Sequence, residues 1–488
     1  MTWCTGCIRS FLAKPGLFVV CCSGGMISTY DAALEFLFSR INYERTAMPY
    51  GRREVNLRQM RRLNDCLGCP LETTPVVHIA GTKGKGSTAA MCAAMLTAAG
   101  YKSGLYTSPH LQRLEERYNV DGVSITEESL TEICGQLQPV VAELDVEAEA
   151  ADAPTLTFFE LTTALAFLYF SSQSVDWAVL EVGLGGRLDS TNVCSPRVTA
   201  ITNISFDHMR QLGNSLEQIA AEKAGIIKPG IPIVSGVTES PAKDVITRIA
   251  AERNSPLRQL GRDFDFEYLP PEHLERGQQL GIVRYRSGAP YSAGTTFLEV
   301  PLAIPGAHQA ANAAVALAIR DEVLSTGVAF SDDAVEQALS NFAFPARIEI
   351  LERNPTVIVD AAHNVASMRA LLKTLDTSFA ARRRLLIFAT TSDKDIGGIL
   401  RLVDPFFDHI YLTKFLGNDR ATPPEELLQQ GPSASIPSDT FSKYHICPDP
   451  KSAWQAARAA STTDDLICVS GSFFLAGEIR PWIEKHAL

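Results

Sequence analysis

Gly81, Thr82, Lys83, Gly84, Lys85, Gly86, Ser87 and Thr88 are the residues whose types and order most directly imply chemistry. Glycines let backbone N–H groups approach an anion closely. A lysine at 85 has the reach to touch the outer phosphates of a nucleotide, and a serine at 87 offers a hydroxyl to Mg2+. The spacing departs from G-x4-G-K-[ST], because Gly86 separates the lysine from the serine. A glycine-rich turn on its own is weak evidence. Its setting strengthens it: apolar Val76, Val77, Ile79 and Ala80 precede it, and an Ala- and Met-rich run follows. Strand, glycine turn and helix start together form a phosphate cradle, since the first helical N–H groups are unpaired and carry partial positive charge.

The elements that must hold such a loop recur along the chain. Ser103 to Tyr106 reads as a second strand, with Thr107, Ser108, Pro109 and His110 at its carboxyl end. In open α/β sheets ligands gather at these ends. Phe158 to Ser171 reads as an apolar helix with Glu160 near its start. That glutamate either favours the helix dipole or turns inward to a metal, and the sequence leaves both open. Trp177 to Val182 reads as a buried strand whose Glu181 and following glycines mark a ligand-facing edge. Val198 to Ile204 is another strand, followed by Ser205, Phe206, Asp207 and His208. A histidine just beyond a strand on the phosphate side is a better metal candidate than an isolated one. The helix from Leu216 carries Glu222 and Lys223, and Pro232 to Gly236 is a further strand. Residues 255 to 300 read as short irregular strands with turns near Gly277 and Gly288.

Beyond Phe344, strands at Thr356 to Val359, Leu385 to Phe388, His409 to Leu412 and Leu466 to Val469 alternate with helices, the pattern of a second parallel unit. The expected class is α/β: a large phosphate-loop domain with a mostly parallel sheet over 26–344, and a smaller Rossmann-like domain over 345–488. Pro345 to Arg347 is the expected hinge. Residues 1–25 crowd four cysteines around a short, broken apolar patch. They read as a poorly ordered extension with Met26 as the true start, since a signal peptide needs an unbroken apolar run. Residues 143 to 153 read as an exposed acidic connection, and the mixed charges of Arg113 to Arg117 as a solvated loop.

Composition bounds the function. The 488 residues suit two domains, and a net charge of -11 argues against nucleic acid or an anionic membrane as partner. The longest apolar runs fall short of a membrane span. Eleven scattered cysteines suit reduced thiols in the cytoplasm. The pairs Cys4/Cys7 and Cys66/Cys69 lie too far apart for a zinc ribbon, so unrelated thiols is the better reading.

Taken in order, GTKGKGS (81–87), YTSPHL (106–111), ER-x-x-x-DG (116–122), TFFE (157–160), EVGLGGRLDSTN (181–192), ITNISFDH (201–208), EKAGIIKPG (222–230), GAHQAAN (306–312), FPARIE (344–349), DAAHN (360–364) and SDKD (392–395) resemble the bacterial folylpolyglutamate synthase/dihydrofolate synthase family, a branch of the Mur ligases. The resemblance implies a monomeric, cytoplasmic, ATP- and Mg2+-dependent ligase. It would join L-glutamate to dihydropteroate or tetrahydrofolate through an acyl phosphate. It further implies that Gly81 to Thr88 hold ATP, that Ser108, Glu160 and His208 ligate Mg2+, and that Lys223 is the lysine carbamylated in related enzymes and so a further metal ligand. Asn312 matches an adenine-side contact, Arg347 a phosphate contact and Asp360 an ATP contact. His363, with Ser470 and Ser472, matches the glutamate side. Lys85, His208, Lys223, Asp360 and His363 are the expected catalytic set, with His110 and His363 as acid/base helpers or orienters.

Two features depart from the family pattern. Lys83 stands where its loop usually has asparagine, and Ala361 where glycine or valine is common. No clear match to the pterin-binding loop is present, so the folate acid is open. The alternatives are a Mur-type ligase acting on another acid, such as a cell-wall or storage-peptide precursor, and a nucleotide-binding module without ligase activity.

Overall fold

The structure is a computed structural model that describes residues 27–44, 53–277, 279–288, 295–432 and 443–486. The expectations for residues 1–25, for Met26 and for Cys4 and Cys7 lie outside the described residues.

The apolar runs of the first half assemble into one eight-stranded sheet. Its strands are β1 (Val76–Ala80), β2 (Ser103–Tyr106), β3 (Tyr118–Val120), β4 (Val123–Ser124), β5 (Trp177–Glu181), β6 (Val198–Ile201), β7 (Ile233–Ser235) and β8 (Leu257–Gln259), in the order β4-β3-β2-β5-β1-β6-β7-β8. Every residue of β1, β5 and β6 is buried, as expected of parallel strands covered on both faces. From β2 to β8 all pairings are parallel, with Ile79 of β1 facing Glu181 on one side and Ala200 on the other. The chain leaves β1 for β2 on one side and crosses from β5 to β6 on the other. The loops at their carboxyl ends therefore diverge above β1, the place where such sheets bind ligands.

Helices cover both faces. Lys85–Ala98 and Ala307–Leu324 pack their alanines against one face, sharing a core with Val283, Tyr285 and Val300. Those three come from a three-stranded antiparallel sheet formed by β9 (Phe264–Leu269), β10 (Gly281–Gly288) and β11 (Thr295–Leu302). Tyr30–Phe38, Arg53–Cys66, Glu127–Ala150 and Phe158–Ser172 cover the other face.

A six-stranded sheet follows: β12 (Glu349–Glu352), β13 (Thr356–Val359), β14 (Arg384–Phe388), β15 (His409–Leu412), β16 (Tyr444–Ile446) and β17 (Leu466–Ser470), in the order β12-β13-β17-β14-β15-β16. All its pairings are parallel except that of β12. β12 and β16 were not expected. Both are edge strands that are not fully buried, so neither shows a continuous apolar run.

Two expectations need correction. Residues 143–150 continue the helix Glu127–Ala150 instead of forming a connection, because glutamate and alanine are strong helix formers and Val141 and Leu144 give the segment a buried side. Nor is Arg113 to Arg117 simply a solvated loop. Arg117 is fully buried over the Phe158 ring, 5.3 Å from its centroid, and pairs in bidentate fashion with Glu44 at 2.9 and 2.6 Å. No helix of the described residues is long and apolar enough to cross a membrane.

Candidate active site

The loop between β1 and the helix Lys85–Ala98 is shaped by two glycines on left-handed backbone, Gly81 (φ 152°) and Gly84 (φ 80°). A Cβ on Gly81 would sit 1.9 Å from Thr202 Oγ1, and one on Gly84 would sit 2.1 Å from Asn312 Oδ1, so neither position admits a side chain. The residues after β6 hold the loop from outside. Thr82 N–H donates to Asn203 O (2.9 Å), Lys83 N–H to Asn203 Oδ1 (2.9 Å), and Thr202 Oγ1 to Lys83 O (2.6 Å). The Thr88 hydroxyl donates to Asn312 O at 3.5 Å. Gly84 caps the helix without a side-chain bond, which leaves the first helical N–H groups turned to the cleft where an anion is favoured.

Lys223 supports the loop from below. It is buried, and its ammonium donates to Gly81 O at 2.8 Å. Burial and repulsion from Lys85 push its pKa down to about 7. Lys85 opens the helix with its Nζ 3.8 Å from Glu181 Oε1. Glu181, the last residue of β5, is buried and accepts the Ser108 N–H at 3.0 Å. Burial raises its pKa while Lys85 opposes the shift.

Of the two glutamates, Glu181 faces the loop and Glu160 does not. Glu160 is the third residue of its helix, and its Oε2 accepts from Thr157 N–H (2.8 Å) and Thr157 Oγ1 (2.7 Å) in a capping box. It is fully buried, Oε1 has no hydrogen-bond partner, and burial pushes its pKa up to about 7. It is absent from the cleft wall, whereas Thr157, Phe159 and Glu181 line it. The placement corrects the expectation that Glu160 belongs to the metal site.

Beyond β6, Asp207 and His208 stand opposite the loop. Asp207 Oδ2 receives Lys83 Nζ at 2.7 Å, and Lys394 Nζ lies 3.7 Å from Oδ1. Although burial opposes it, the Lys83 and Lys394 cations, joined by the His208 ring only when it is protonated, hold the Asp207 carboxyl well below the usual carboxylate range. His208 has left-handed backbone (φ 49°) and its ring is accessible from the cleft it lines. Desolvation by the crowded cleft wall, with Lys394, Lys83 and Lys85 near, outweighs Asp207 and lowers its pKa to about 4, so the ring is neutral at pH 7.

The far wall comes from the second sheet. Arg347 is stacked between Phe344 and Phe473, 5.5 and 4.7 Å from their centroids. Asp360, just after β13, accepts Ile348 N–H (2.9 Å) and Ala362 N–H (2.8 Å). One oxygen, Oδ2, thus holds the Arg347 segment, while Oδ1 shapes the turn after β13. His363 Nδ1 donates to Ala361 O (2.8 Å), which leaves Nε2 to accept from Lys83 Nζ at 2.7 Å. Burial, Lys83 and Lys394 keep that ring neutral.

Asn312 lines the cleft and donates to Gln309 Oε1 at 3.0 Å. His110 Nδ1 accepts from Arg117 Nε at 2.9 Å, the contact of an oriented ring. Ser472 lines the cleft, but Ser470 is buried with its hydroxyl directed to Ala362 O at 3.3 Å, which takes it away from the site. Cys66 and Cys69 are free thiols, and the described residues contain no cluster of three His, Cys, Asp or Glu side chains able to hold a metal.

One cavity of about 2120 Å³ takes in the loop, Ser108, Glu181, His208, Lys223, Asn312, Arg347, Asp360 and His363. Asp207, Lys394 and His308 also line it, and none of them had been assigned a role from sequence. Their signals were present but unspecific: a polar run after β6, the SDKD run of the second sheet, and a histidine beside Gly306.

A phosphate cradle and a second α/β unit that closes the cleft with an arginine define the class: an ATP-dependent ligase of the Mur type. Residues 79–320 match the Mur ligase middle domain and residues 346–473 the Mur ligase glutamate ligase domain. The dihydrofolate synthase/folylpolyglutamate synthase of Bacillus subtilis is 33% identical over 465 residues, 93% of this chain and 99% of the relative. That of Mycobacterium tuberculosis is 36% identical over 388 residues, 78% of each chain. Among solved structures, Mycobacterium tuberculosis folylpolyglutamate synthase complexed with ADP and AMPPCP aligns with a TM-score of 0.80 at 30% identity, covering 93% of this chain and 99% of its own. The bifunctional synthase of Yersinia pestis complexed with AMPPNP and Mn ion aligns at 0.74 and 28% identity, covering 93% and 98%. The chain belongs to the dihydrofolate synthase/folylpolyglutamate synthase family.

Proposed function

We infer that this chain is an ADP-forming ligase that uses ATP and Mg2+ to join L-glutamate to a folate-type carboxylate, either dihydropteroate or tetrahydrofolate. The observation that carries this reading is the convergence, in one cleft, of an uncapped phosphate-binding helix start with cations from both sheets, in a chain matched by family members over nearly its full length. Both walls come from one chain, which supports a monomeric enzyme. The free thiols among the described residues suit the reducing cytoplasm.

In the proposed reaction the substrate carboxylate oxygen attacks the γ-phosphorus, the bond to the β-phosphate oxygen breaks, and ADP leaves. The glutamate amine then attacks the acyl carbon, phosphate departs and the amine loses a proton. Such chemistry asks for positioning and charge neutralisation more than for a protein nucleophile. Lys85 and the helix N–H groups take the phosphate oxygens, and Arg347 supplies positive charge from the opposite wall. His363 is neutral, with Nδ1 held by Ala361 O and Nε2 accepting from Lys83; its Nε2 orients the amine once Lys83 turns to the phosphates. Closure of the second unit about 345–347 excludes water that would hydrolyse an acyl phosphate.

The residues around the loop fit a hard divalent ion. Mg2+ takes one or two protein carboxylates and fills its remaining positions with water and phosphate oxygens. The buried Glu181 carboxylate, beside Ser108 and within reach of Lys85, suits that demand, and neutral His208 adds a nitrogen. When bound, Mg2+ neutralises charge on the phosphates. Lys223 can join this set only as a carbamate, since its ammonium, which donates to Gly81 O, has no lone pair to offer a metal.

ADP release from purified protein, with glutamate and either dihydropteroate or tetrahydrofolate, tests the assignment. Turnover that needs both glutamate and a folate acid is expected. Turnover only with a cell-wall or peptide acid overturns it. Lys85→Ala is expected to lower turnover by about a hundredfold or more, as loss of a transition-state cation does, with the far-ultraviolet circular dichroism unchanged. Retained activity removes Lys85 from the phosphate site.

A further inference from the structure

A second cavity of about 490 Å³ opens on the other side of the 183–192 loop, and Leu188 lines both it and the main cleft. Its wall carries five cationic side chains, Arg58, Arg61, Arg187, Lys228 and Arg253, with Leu57 as an apolar patch. That is unusual in a chain of net charge -11. In the main cleft three of the cations come with carboxylates: Lys85 with Glu181, and Lys83 and Lys394 with Asp207. Here, among the described residues, only Arg187 has one, Glu222 at 3.0 Å.

Two of the remaining cations are held by backbone carbonyls, which fix a cation in place without cancelling its charge. Lys228 Nζ donates to Asn192 O at 2.9 Å, and Arg253 Nη1 to Ile227 O. Arg61 and Arg253 press on Lys228, and with its burial they lower its ammonium pKa. Like charges kept this close without counter-ions are the signature of a site whose counter-ion is a ligand.

We propose that this cavity binds an extended, multiply charged oxyanion, namely a γ-linked oligoglutamate chain, outside the reaction centre. The volume exceeds what a single phosphate fills, and the spread of four unneutralised cations suits carboxylates repeated along a chain better than one compact anion. Guanidinium groups bind carboxylates through paired, charge-assisted bonds. Leu188, which lines both cavities, sets the site beside the cleft in which the tail is lengthened. The identity of the chain rests on the ligase reading above; the cation cavity does not.

The test uses the full chain saturated with AMPPNP, so that the phosphate loop of the main cleft is occupied. Calorimetric titration with γ-linked tetraglutamate is expected to show binding. The Arg58→Ser/Arg61→Ser double variant, altered at two exposed positions, is expected to weaken it about tenfold or more, the loss of one or two charge-assisted contacts. Inorganic pyrophosphate, titrated separately, is expected to bind more weakly than tetraglutamate. No tetraglutamate binding, or an unchanged dissociation constant in the double variant, overturns the proposal. Pyrophosphate binding at least as tightly overturns the choice of an extended carboxylate chain. Addition of the first glutamate is followed separately, with ATP in place of AMPPNP, and is expected at the wild-type rate in the double variant. Its absence from both proteins counts against the ligase reading and leaves the titration valid.

Discussion

Glu181 and Glu160 are both buried carboxylates with raised pKa values, but their surroundings give them different work. Glu181 faces Lys85 and the loop, whereas Glu160 faces its own helix start. Glu181→Gln is therefore expected to raise the Mg2+ requirement of turnover about tenfold or more, as loss of a metal-facing carboxylate does. Glu160→Gln is expected to leave the Mg2+ titration unaltered, and equal shifts in both variants would refute this division. Glu160 makes a further prediction about stability. Its folded pKa of about 7 lies above the ordinary 4.5, so between those values the native state holds a proton that the unfolded chain has released. Stability from this group is present below the lower value and is lost as pH rises through the upper one. The loss is on the order of 3 kcal/mol or less. Urea unfolding at pH 5 and pH 8 is expected to show a smaller pH-dependent drop in Glu160→Gln than in the wild type. Lys223 bears on the same site. If it acts as a carbamate, Lys223→Ala loses turnover and short carboxylates such as formate restore part of it. A lysine serving only as a tether for Gly81 O gives no rescue.

The segment joining the two sheets explains how Arg347 reaches the cleft. Ala346 (φ 53°) and Ile348 (φ 51°) both occupy left-handed backbone without being glycine. Such positions cost roughly 1 kcal/mol or more each and persist only where neighbours over-determine them. Glu349 accepts Ala346 N–H at 2.9 Å and is itself clamped by Arg480 at 2.8 Å, while Asp360 accepts Ile348 N–H. Asp360→Ala is expected to destabilise the chain by roughly 2 kcal/mol, the cost of leaving buried N–H groups unpaired. It is also expected to lower turnover through displaced Arg347, because Asp360 is a positioning residue here. Unchanged urea unfolding removes that role. The same segment shows what a linear reading misses. FPARIE marks a junction by its composition, but left-handed backbone at alanine and isoleucine depends on partners many residues away. Glu160 failed for a similar reason: a glutamate at the third position of a helix looks alike whether it caps or binds metal. Glu181 was visible as an edge residue because a fully apolar strand ended on it. The acidic stretch 143–150 is largely exposed, as its charge suggests, but it is the end of a helix and not a connection, because helix propensity and the buried Leu144 carry the helix through it. Strands β1, β5, β6, β13 and β14 were legible because strands buried on both faces leave nearly continuous apolar runs.

At the scale of the molecule, the two sheets are tied across the cleft at one cluster of charges. Lys83 belongs to the phosphate loop, yet its ammonium donates both to Asp207, which follows β6, and to His363, which follows β13, each at 2.7 Å. Lys394 approaches Asp207 from the second sheet at 3.7 Å. Burial pushes the Lys83 pKa down to about 8, so at pH 7 it remains a cation and the bond to Asp207 is charge-assisted. Such a cluster favours a closed arrangement before any nucleotide arrives. Triphosphate oxygens entering the loop compete for the same ammonium, and its contacts to Asp207 and His363 are then exchanged for contacts to ATP. Lys83→Met keeps the length of the stem and removes the donors. Without ligand, small-angle scattering of this variant is expected to give a larger radius of gyration than the wild type. With AMPPNP and a folate acid bound, the two profiles are expected to converge, because Arg347 and the ligands then bridge the sheets. A reduced kcat with little change in the KM for ATP is expected if Lys83 acts mainly in closure. A rise in KM alone, with scattering unaltered in the absence of ligand, would make Lys83 a phosphate contact and nothing more.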